Sequence, residues 1–425
     1  MTPQHDFMIA APLRAGARPS IDELVDSMAI EPGLADPDNS ILPFGRFGRI
    51  HFARVLLLDD PTLADRTHFP NLYFPCPVRL ALLVVCDGSV DEQIDELAEV
   101  AGEGLRRLFS HCEGFDAAAD LRDWLHANHV KSATFYMNWR GRTVLQSREE
   151  RVLHEVLREE LAALPAASPG ETRRALREAV ARRGVKLTPE EPTAPGRWLA
   201  DLVDLIVVPI FILLMTPLLI LLAPLLAIKL RRLEKANPVI APLRTPELMQ
   251  RLSLYEDRDI TSPFGAMGSV QPGLFRRWTA SFILWLVDWA ARHITTRGKL
   301  ARVRTIHCAR WIFLDNKRRM YFASDYDGSH EAYMDDFVNK VAFGLNLTFG
   351  PAIGIPKIRW LLWDGASRER DWKNFLRRHE LPTPVWYKAY PGLTCQDLAR
   401  NERIRKGLES RRDDDRSIRR WLAEI

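Results

Sequence analysis

The chain repeats itself on either side of a long apolar segment. Residues 50–59, IHFARVLLLD, return as residues 306–315, IHCARWIFLD. Self-similarity at a nearly fixed offset is the sequence signature of a repeated structural unit. Further matches follow in the same order: Asp87-Gly88-Ser89 with Asp327-Gly328-Ser329, Asp123-Trp124 with Asp371-Trp372, Phe135-Tyr136 with Trp386-Tyr387, Gly141 with Gly392, and residues 148–151 with residues 400–403. We therefore expect two copies of one module that pack together.

The repeat predicts the domain organisation and the fold class. Strand patterns at Ala309–Leu314 and Met320–Ser324 flank a polar turn and predict a hairpin. Ser89, three residues before Glu92, predicts a capping box at the start of a helix. The class is α+β, with antiparallel sheets and helices on one face. The expected parts are an extension at 1–45, the first module at 46–165, a linker at 166–300, and the second module with a charged carboxy-terminal helix at 301–425.

The linker contains a segment that is long enough to enter a membrane. Residues 205–228, from Leu205 to Ile228, are almost entirely apolar. As one helix they would be about 36 Å long, against roughly 30 Å for the hydrocarbon core of a bilayer. Lys229, Arg231 and Arg232 follow directly, and a basic flank of this kind lies on the cytoplasmic side. The segment therefore predicts membrane association and makes lipid an expected partner.

The repeat limits how this segment can lie in a membrane. Two modules that pack together must be on one side, so the chain crosses an even number of times or not at all. Met1–Gly16 lack the pattern of a signal peptide, so both modules are expected in the cytoplasm. Pro217 divides the segment into halves that are too short to span. We expect a proline-broken re-entrant hairpin or a shallow insertion.

A second helix in the linker carries an aromatic face. Within residues 275–294, Trp278, Trp285 and Trp289 share one side of a helix with two phenylalanines. Such a face is typical of an amphipathic helix at a membrane interface. The same periodicity also fits a helix that packs on the soluble core, and both interpretations stay open.

Composition excludes several classes of function. The formal net charge is +4, and acidic residues match basic ones through most of the chain, so a nucleic-acid partner is not expected. The five cysteines are odd in number and have no Cys-x-x-Cys spacing. This pattern indicates neither a disulfide framework nor a zinc site, and no metal site is expected.

The tandem α+β modules resemble the ferredoxin-like, dimeric α+β-barrel superfamily, which includes dye-decolorising peroxidases and chlorite dismutases. The peroxidases carry a Gly-x-x-Asp-Gly motif, whose last two positions Asp327-Gly328 can occupy, while Ser324 stands where the first glycine belongs. The resemblance implies haem as a possible cofactor and Asp327 as a possible catalytic residue. His330 and His379 are the histidines available as ligands on that side of the repeat.

The repeated strands supply the other candidate site residues. Arg310 and its counterpart Arg54 lie in strands that are apolar on both faces, so each guanidinium needs an anionic or carbonyl partner. That partner is either an anionic ligand or an internal acid, namely Asp59, Asp315 or an acid of the adjoining helix. His307 and His51 begin the same strands and are candidates for ligand binding, and His307 also for acid-base chemistry. Tyr326 and His330 lie beside Asp327 at the richest polar junction of the second copy.

Three functions remain open from the sequence. The first is a membrane-associated protein whose duplicated domain binds a hydrophobic or lipid-like small molecule. The second is a haem-dependent, peroxidase-like oxidoreductase. The third is a membrane-tethered scaffold without a small-molecule site.

Overall fold

Antiparallel sheets, flanking helices and one long apolar helix make up the chain. The computed structural model describes residues 2–69, 72, 74–240, 245–295, 300, 303–411 and 414–425. The strands are β1 Gln4–Pro12, β2 Ala29–Glu31, β3 Leu34–Ala35, β4 Ile50–Leu58, β5 Arg79–Asp87, β6 His129–Val130, β7 Thr134–Met137, β8 Thr261–Ser269, β9 Ile306–Leu314, β10 Arg319–Asp327, β11 Ile358–Arg359, β12 Trp363–Asp364 and β13 Val385–Lys388. The helices are α1 Arg18–Asp26, α2 Val90–Val100, α3 Gly102–Phe109, α4 Leu121–Ala127, α5 Val144–Ala163, α6 Pro169–Arg182, α7 Pro195–Ala236, α8 Pro246–Ser253, α9 Leu274–His293, α10 His330–Phe349, α11 Glu369–His379, α12 Cys395–Glu409 and α13 Asp415–Leu422.

The first sheet has the strand order β13-β4-β5-β1-β6. Its strand β1 lies inside residues 1–45, which the sequence analysis assigned to an extension, and pairs antiparallel with β5 along its full length. Phe7 and Ile9 face the helices, whereas Met8 and Ala10 face the second sheet. A strand buried on both faces has no polar-apolar alternation, which is why the pattern did not reveal it.

The second sheet has the order β7-β9-β10-β8. Strand β8 falls in the segment assigned to the linker, and it contains a proline and two glycines, residues that weaken strand propensity. Gly265 is required there, because a Cβ atom would lie 2.6 Å from the hydroxyl of Tyr321 on β10. The predicted module boundary at residue 301 lies outside the described residues.

Each sheet contains strands from both sides of α7. Strand β13, near the carboxy terminus, pairs with β4, and Trp386 lies opposite Arg54. In the same way β7, which precedes α7, pairs with β9, and Phe135 lies opposite Arg310. The two halves of the chain are therefore joined through hydrogen-bonded sheets.

The sheets face each other, and helices cover their outer faces. Side chains of both sheets form an apolar layer between them, including Leu83 from the first sheet and Ile312 from the second. Separate apolar clusters lie between each sheet and its helices. A fourth cluster joins α5 and α6 to α12 and α13. Both faces of the central strands are thus buried, as the apolar strand patterns predict.

The hairpin predicted from local sequence is confirmed, whereas the predicted capping box at one helix start is not. Strands β9 and β10 form the predicted hairpin, and its turn uses positive φ angles at Asp315, Asn316 and Lys317. The capping box predicted at Ser89 is wrong, since the Ser89 side chain makes no capping hydrogen bond there. Capping boxes occur instead at Thr143 and Thr394, which begin α5 and α12.

The apolar segment is one helix. Helix α7 continues through Pro209, Pro217 and Pro224, so the predicted break at Pro217 is wrong. A proline inside a helix removes one backbone hydrogen bond and strains the preceding turn, but it does not compel the chain to reverse. By length and composition α7 is the helix among the described residues that can cross a membrane, since an 18-residue stretch of it has a mean hydropathy of 3.0.

Candidate functional site

Charged residues lie between the two sheets, and Arg54 on β4 is one of them. Its guanidinium is buried and lies 2.6 Å from Oδ1 of Asp325 on β10. It also donates to the carbonyl oxygens of Phe264 and Ser324, each at 3.0 Å. The partner is therefore internal, and it is Asp325 rather than Asp59 or Asp315, which lie at the ends of the repeated strands.

Arg310 is buried in the same layer but is less well paired. Its guanidinium lies 3.6 Å from Asp325 and 4.0 Å from Asp6, and Nη1 donates to the carbonyl of Val84 at 3.4 Å. Its Nε and Nη2 atoms have no hydrogen-bond partner among the described residues. Arg54 is thus held by several hydrogen bonds, whereas Arg310 contributes mainly its charge.

The two acids of this layer differ in ionisation. Burial opposes ionisation of Asp325, but Arg54 and Arg310 outweigh it, so the pKa of Asp325 lies below its usual value. Burial raises the pKa of Asp6 to about 6, and Arg310 opposes this rise only in part. The layer is an internal charge network that joins the sheets.

Each copy of the repeat places a histidine against an aspartate. His51 Nε2 lies 2.9 Å from Oδ1 of Asp87, and His307 Nε2 lies 2.6 Å from Oδ1 of Asp327. His51 also contacts the hydroxyl of Tyr390 at 3.2 Å. All of these side chains are buried, so the pairs lie inside the protein and not in an open cleft.

The aspartates also hold the starts of the closing helices. The second carboxylate oxygen of Asp87 accepts from the Val144 N–H at the start of α5, at 2.8 Å. Asp327 does the same for the Cys395 N–H at the start of α12, at 2.7 Å. An acid at a helix amino terminus stabilises the helix dipole and satisfies a free N–H. This paired arrangement is a structural role shared by both copies.

Both carboxylate oxygens of Asp327 accept hydrogen bonds from protein groups. Its Oδ1 accepts from His307 and from the hydroxyl of Thr261 at 2.7 Å, and its Oδ2 accepts from Cys395. Burial opposes its ionisation, but His307 and these hydrogen bonds outweigh burial and hold the pKa of Asp327 below its usual value. In this arrangement the Asp327 carboxylate binds groups of the protein itself.

The remaining candidates lie together in the second module. His330 is 2% exposed, and its Nε2 lies 3.4 Å from Glu380. Tyr326 stacks on Tyr333 with 3.8 Å between ring centroids, and the Tyr326 hydroxyl has no partner among the described residues. His379 is also buried and is held through Nδ1 by the carbonyl of Phe375.

Two groups of three residues bring possible metal-ligand atoms within 4.8 Å of one another. His307, Asp327 and Cys395 form the first group, and their hydrogen bonds are the ones given above. Glu256, His330 and Glu380 form the second group. There the guanidinium of Arg377 pairs with both carboxylates and supplies the positive charge that a cation would bring.

The predicted membrane residues form an exposed surface. The exposed fraction is 43% for Leu205, 51% for Ile228, 70% for Trp278 and 36% for Trp285, and Pro217 is exposed as well. Trp289 is partly buried and donates to the carbonyl of Asp204 at 3.2 Å. Helix α9 packs on the core through Ile283 and Leu284, as one of the two interpretations predicts, while Trp278 and Trp285 point outward.

Both ends of α7 are attached to the folded body. At its amino end Asp204 lies 2.7 Å from Arg292 and 2.9 Å from His293, both on α9. At its carboxy end Glu234, which is 4% exposed, accepts from the backbone N–H groups of Trp360 at 3.0 Å and Leu361 at 2.9 Å. Between these attachments every residue of 217–226 is exposed.

Comparisons with models of protein families, with curated proteins and with solved structures found no match. The sequence analysis missed Asp325, Asp6, Asp204 and Glu234 as organising residues. Asp6 lies in the segment assigned to the extension, and Asp325 directly follows the predicted strand Met320–Ser324, so only the pairing of the sheets brings these acids to the arginines. Asp204 and Glu234 lie near the ends of the apolar segment, and the sequence does not show which groups of the folded body they bind.

Proposed function

We propose that the chain is a monotopic membrane protein that holds lipid against α7 and the aromatic face of α9. The observation that carries this proposal is the pair of attachments at the ends of α7, with an apolar and fully exposed stretch between them. An exposed apolar surface of this size is costly in water and marks a contact with membrane or protein.

A single crossing is incompatible with the sheets. Strands from before and after α7 pair in each sheet, as β13 does with β4 and β7 with β9. A helix that crossed once would place these paired strands on opposite sides of the bilayer. Helix α7 would therefore lie along the membrane, sunk into the hydrocarbon because it is apolar on all sides.

We also propose that the body is a duplicated ferredoxin-like unit. In the first sheet the strand-helix-strand unit β1-α1-β4 is split by β5, and in the second sheet β8-α9-β9 is split by β10. This is the split arrangement of ferredoxin-like folds. In this proposal α9 is the counterpart of α1, and its outer face has been adapted to lipid.

The charge network favours a scaffold over an enzyme for this body. The arginines and acids between the sheets pair with one another, and the His-Asp pairs hold helix starts. The hydrophobic ligand that we propose is membrane lipid bound at the exposed surface of α7 and α9. The folded sheets and their helices hold that surface in place.

Vesicle flotation tests the proposal. Wild-type protein diluted from detergent onto phosphatidylcholine vesicles should float with them. The variant Leu213→Lys/Leu221→Lys places charges at positions that are 70% and 73% exposed, and we expect at least a tenfold lower bound fraction. Ile30→Lys is the control, since Ile30 is 67% exposed and lies on β2, far from α7 in the chain. Flotation of the double variant at the wild-type level would overturn the proposal.

A further inference from the structure

A basic cavity opens at the amino end of α7. It has a volume of about 300 Å³, and its walls come from the amino terminus, the turn before α5, the first turns of α7 and the end of α9. Arg140, Arg197 and Arg292 line it, against the single acid Asp201. The cavity therefore gathers positive charge at the place where the apolar part of α7 begins.

Two of these arginines are available to a ligand. Arg292 is committed to Asp204 at 2.7 Å and Asp288 at 3.0 Å. Among the described residues no carboxylate lies within salt-bridge distance of Arg140 or Arg197, and Asp201 is the acid whose charge acts most on Arg140. Arg140 donates to the backbone carbonyl of Arg292 at 2.6 Å. Its pKa is lowered by burial and by the two neighbouring arginines, and Asp201 opposes this only in part.

The first turn of α7 lies beside the cavity, although Pro195 at its first position has no N–H. Thr193 and Arg197 lie on its wall, and the residue at the helix cap, Ala194, has no side chain that can accept from the first turn. The amino end of a helix carries partial positive charge and free N–H groups, which favour phosphate. Arginine binds phosphate oxygens through two parallel hydrogen bonds.

We propose that this cavity binds a phosphate ester, held by Arg140 and Arg197, as the headgroup of a lipid whose chains lie along α7. The assignment to lipid rests on the proposed membrane association. Trp198 and Leu199 are 59% and 55% exposed immediately after Arg197, so apolar surface for the acyl chains continues from the cavity. The oxygens of a phosphate in the cavity would accept hydrogen bonds from the guanidinium groups of Arg140 and Arg197.

Calorimetric titration with a short-chain phosphatidate below its aggregation concentration tests the site. We expect saturable binding with about one lipid per chain for the wild-type protein, and at least tenfold weaker binding for Arg140→Gln and for Arg197→Gln. Arg277→Gln is the control. It removes the same charge at the start of α9, at the other end of that helix from Arg292, and Arg277 does not line the cavity. Thermal unfolding verifies that each variant is folded, and Arg197→Gln tests the site even if Arg140→Gln does not fold.

Titrations with glycerol phosphate and inorganic phosphate separate the two sources of this chemistry. Binding of the lipid alone, lost in the cavity variants, supports the headgroup assignment. The other result is that the soluble phosphates bind as tightly as the lipid, with their binding lost in the same variants. That result would support a phosphate site but would overturn its assignment to lipid. Absence of any binding, or binding that Arg277→Gln weakens as much as Arg197→Gln, overturns the site. Flotation on uncharged vesicles tests the proposed membrane association separately, so a failure of the phosphate site can be told apart from a failure of the proposed function.

Discussion

Asp204 at the amino end of α7 lies 2.7 Å from Arg292 near the carboxy end of α9. The two helices therefore run in opposite directions, and Asn237 after α7 meets Arg276 near the start of α9 at 3.2 Å. Polar contacts at both ends hold an apolar helix against a folded body. This geometry gives the apolar segment one defined place on the surface of the protein.

The contact of Glu234 at the carboxy end of α7 should contribute measurably to the free energy of unfolding. Glu234→Gln loses the charged acceptor of two backbone N–H groups, and buried hydrogen bonds of that kind contribute about 1.5–3 kcal/mol. We expect the free energy of unfolding in urea to fall by about this amount. Glu178→Gln is the control, because Glu178 is exposed on α6. An equal effect of both substitutions would contradict the role given to Glu234.

The two buried arginines should differ in their contribution to stability. Arg54→Met leaves Asp325 without its closest cation and should cost about 3–5 kcal/mol, as expected when a buried pair loses one partner. Arg310→Met should cost less, since it also removes two guanidinium nitrogens that have no hydrogen-bond partner. Chemical denaturation of the two variants gives the comparison. A larger cost for Arg310→Met would indicate a partner that the internal contacts do not account for.

Asp6 should make stability depend on pH. Its pKa rises from 3.8 to about 6 on folding, so the folded protein binds this proton more tightly than the unfolded chain. The contribution is fully present below pH 3.8 and is lost as pH rises through 6, a change on the order of 3 kcal/mol. Asp6→Asn stays neutral, so its stability relative to the wild-type protein should increase between pH 4 and pH 7. A constant difference across this range would contradict the burial of a carboxyl at this position.

Sequence patterns predicted the parts of the fold that local signals encode. The β9-β10 hairpin was found because its turn and its strands are continuous in the chain. Strand β1 was missed because both of its faces are buried, and β8 was missed because Gly265 and Gly268 serve a close approach to other side chains. The aromatic face of α9 was found from its period, but its packing on the sheet depends on β7, which comes from the other half of the chain.

The candidate site was less predictable for a related reason. A strand arginine indicates that an anion is needed but not which one, and Asp325 reaches Arg54 only because the two sheets face each other. The sequence places Asp327 at a polar junction of the second copy, but its contact with the Cys395 N–H joins residues 68 positions apart in the chain. The proline break was predicted from the local cost of proline, and the helix continues through all three positions.

The central claim is that α7 lies along one side of a membrane with both ends on the side of the body. Single cysteines at Ala194, Leu221 and Lys235 test it, in a Cys76→Ser background because the other native cysteines are buried. Labelling uses a membrane-impermeant maleimide and protein bound to the outside of sealed vesicles. The account predicts that Ala194→Cys and Lys235→Cys both react, whereas Leu221→Cys reacts only after detergent is added. Protection of one end, or reaction at residue 221 as fast as at the ends, would contradict it.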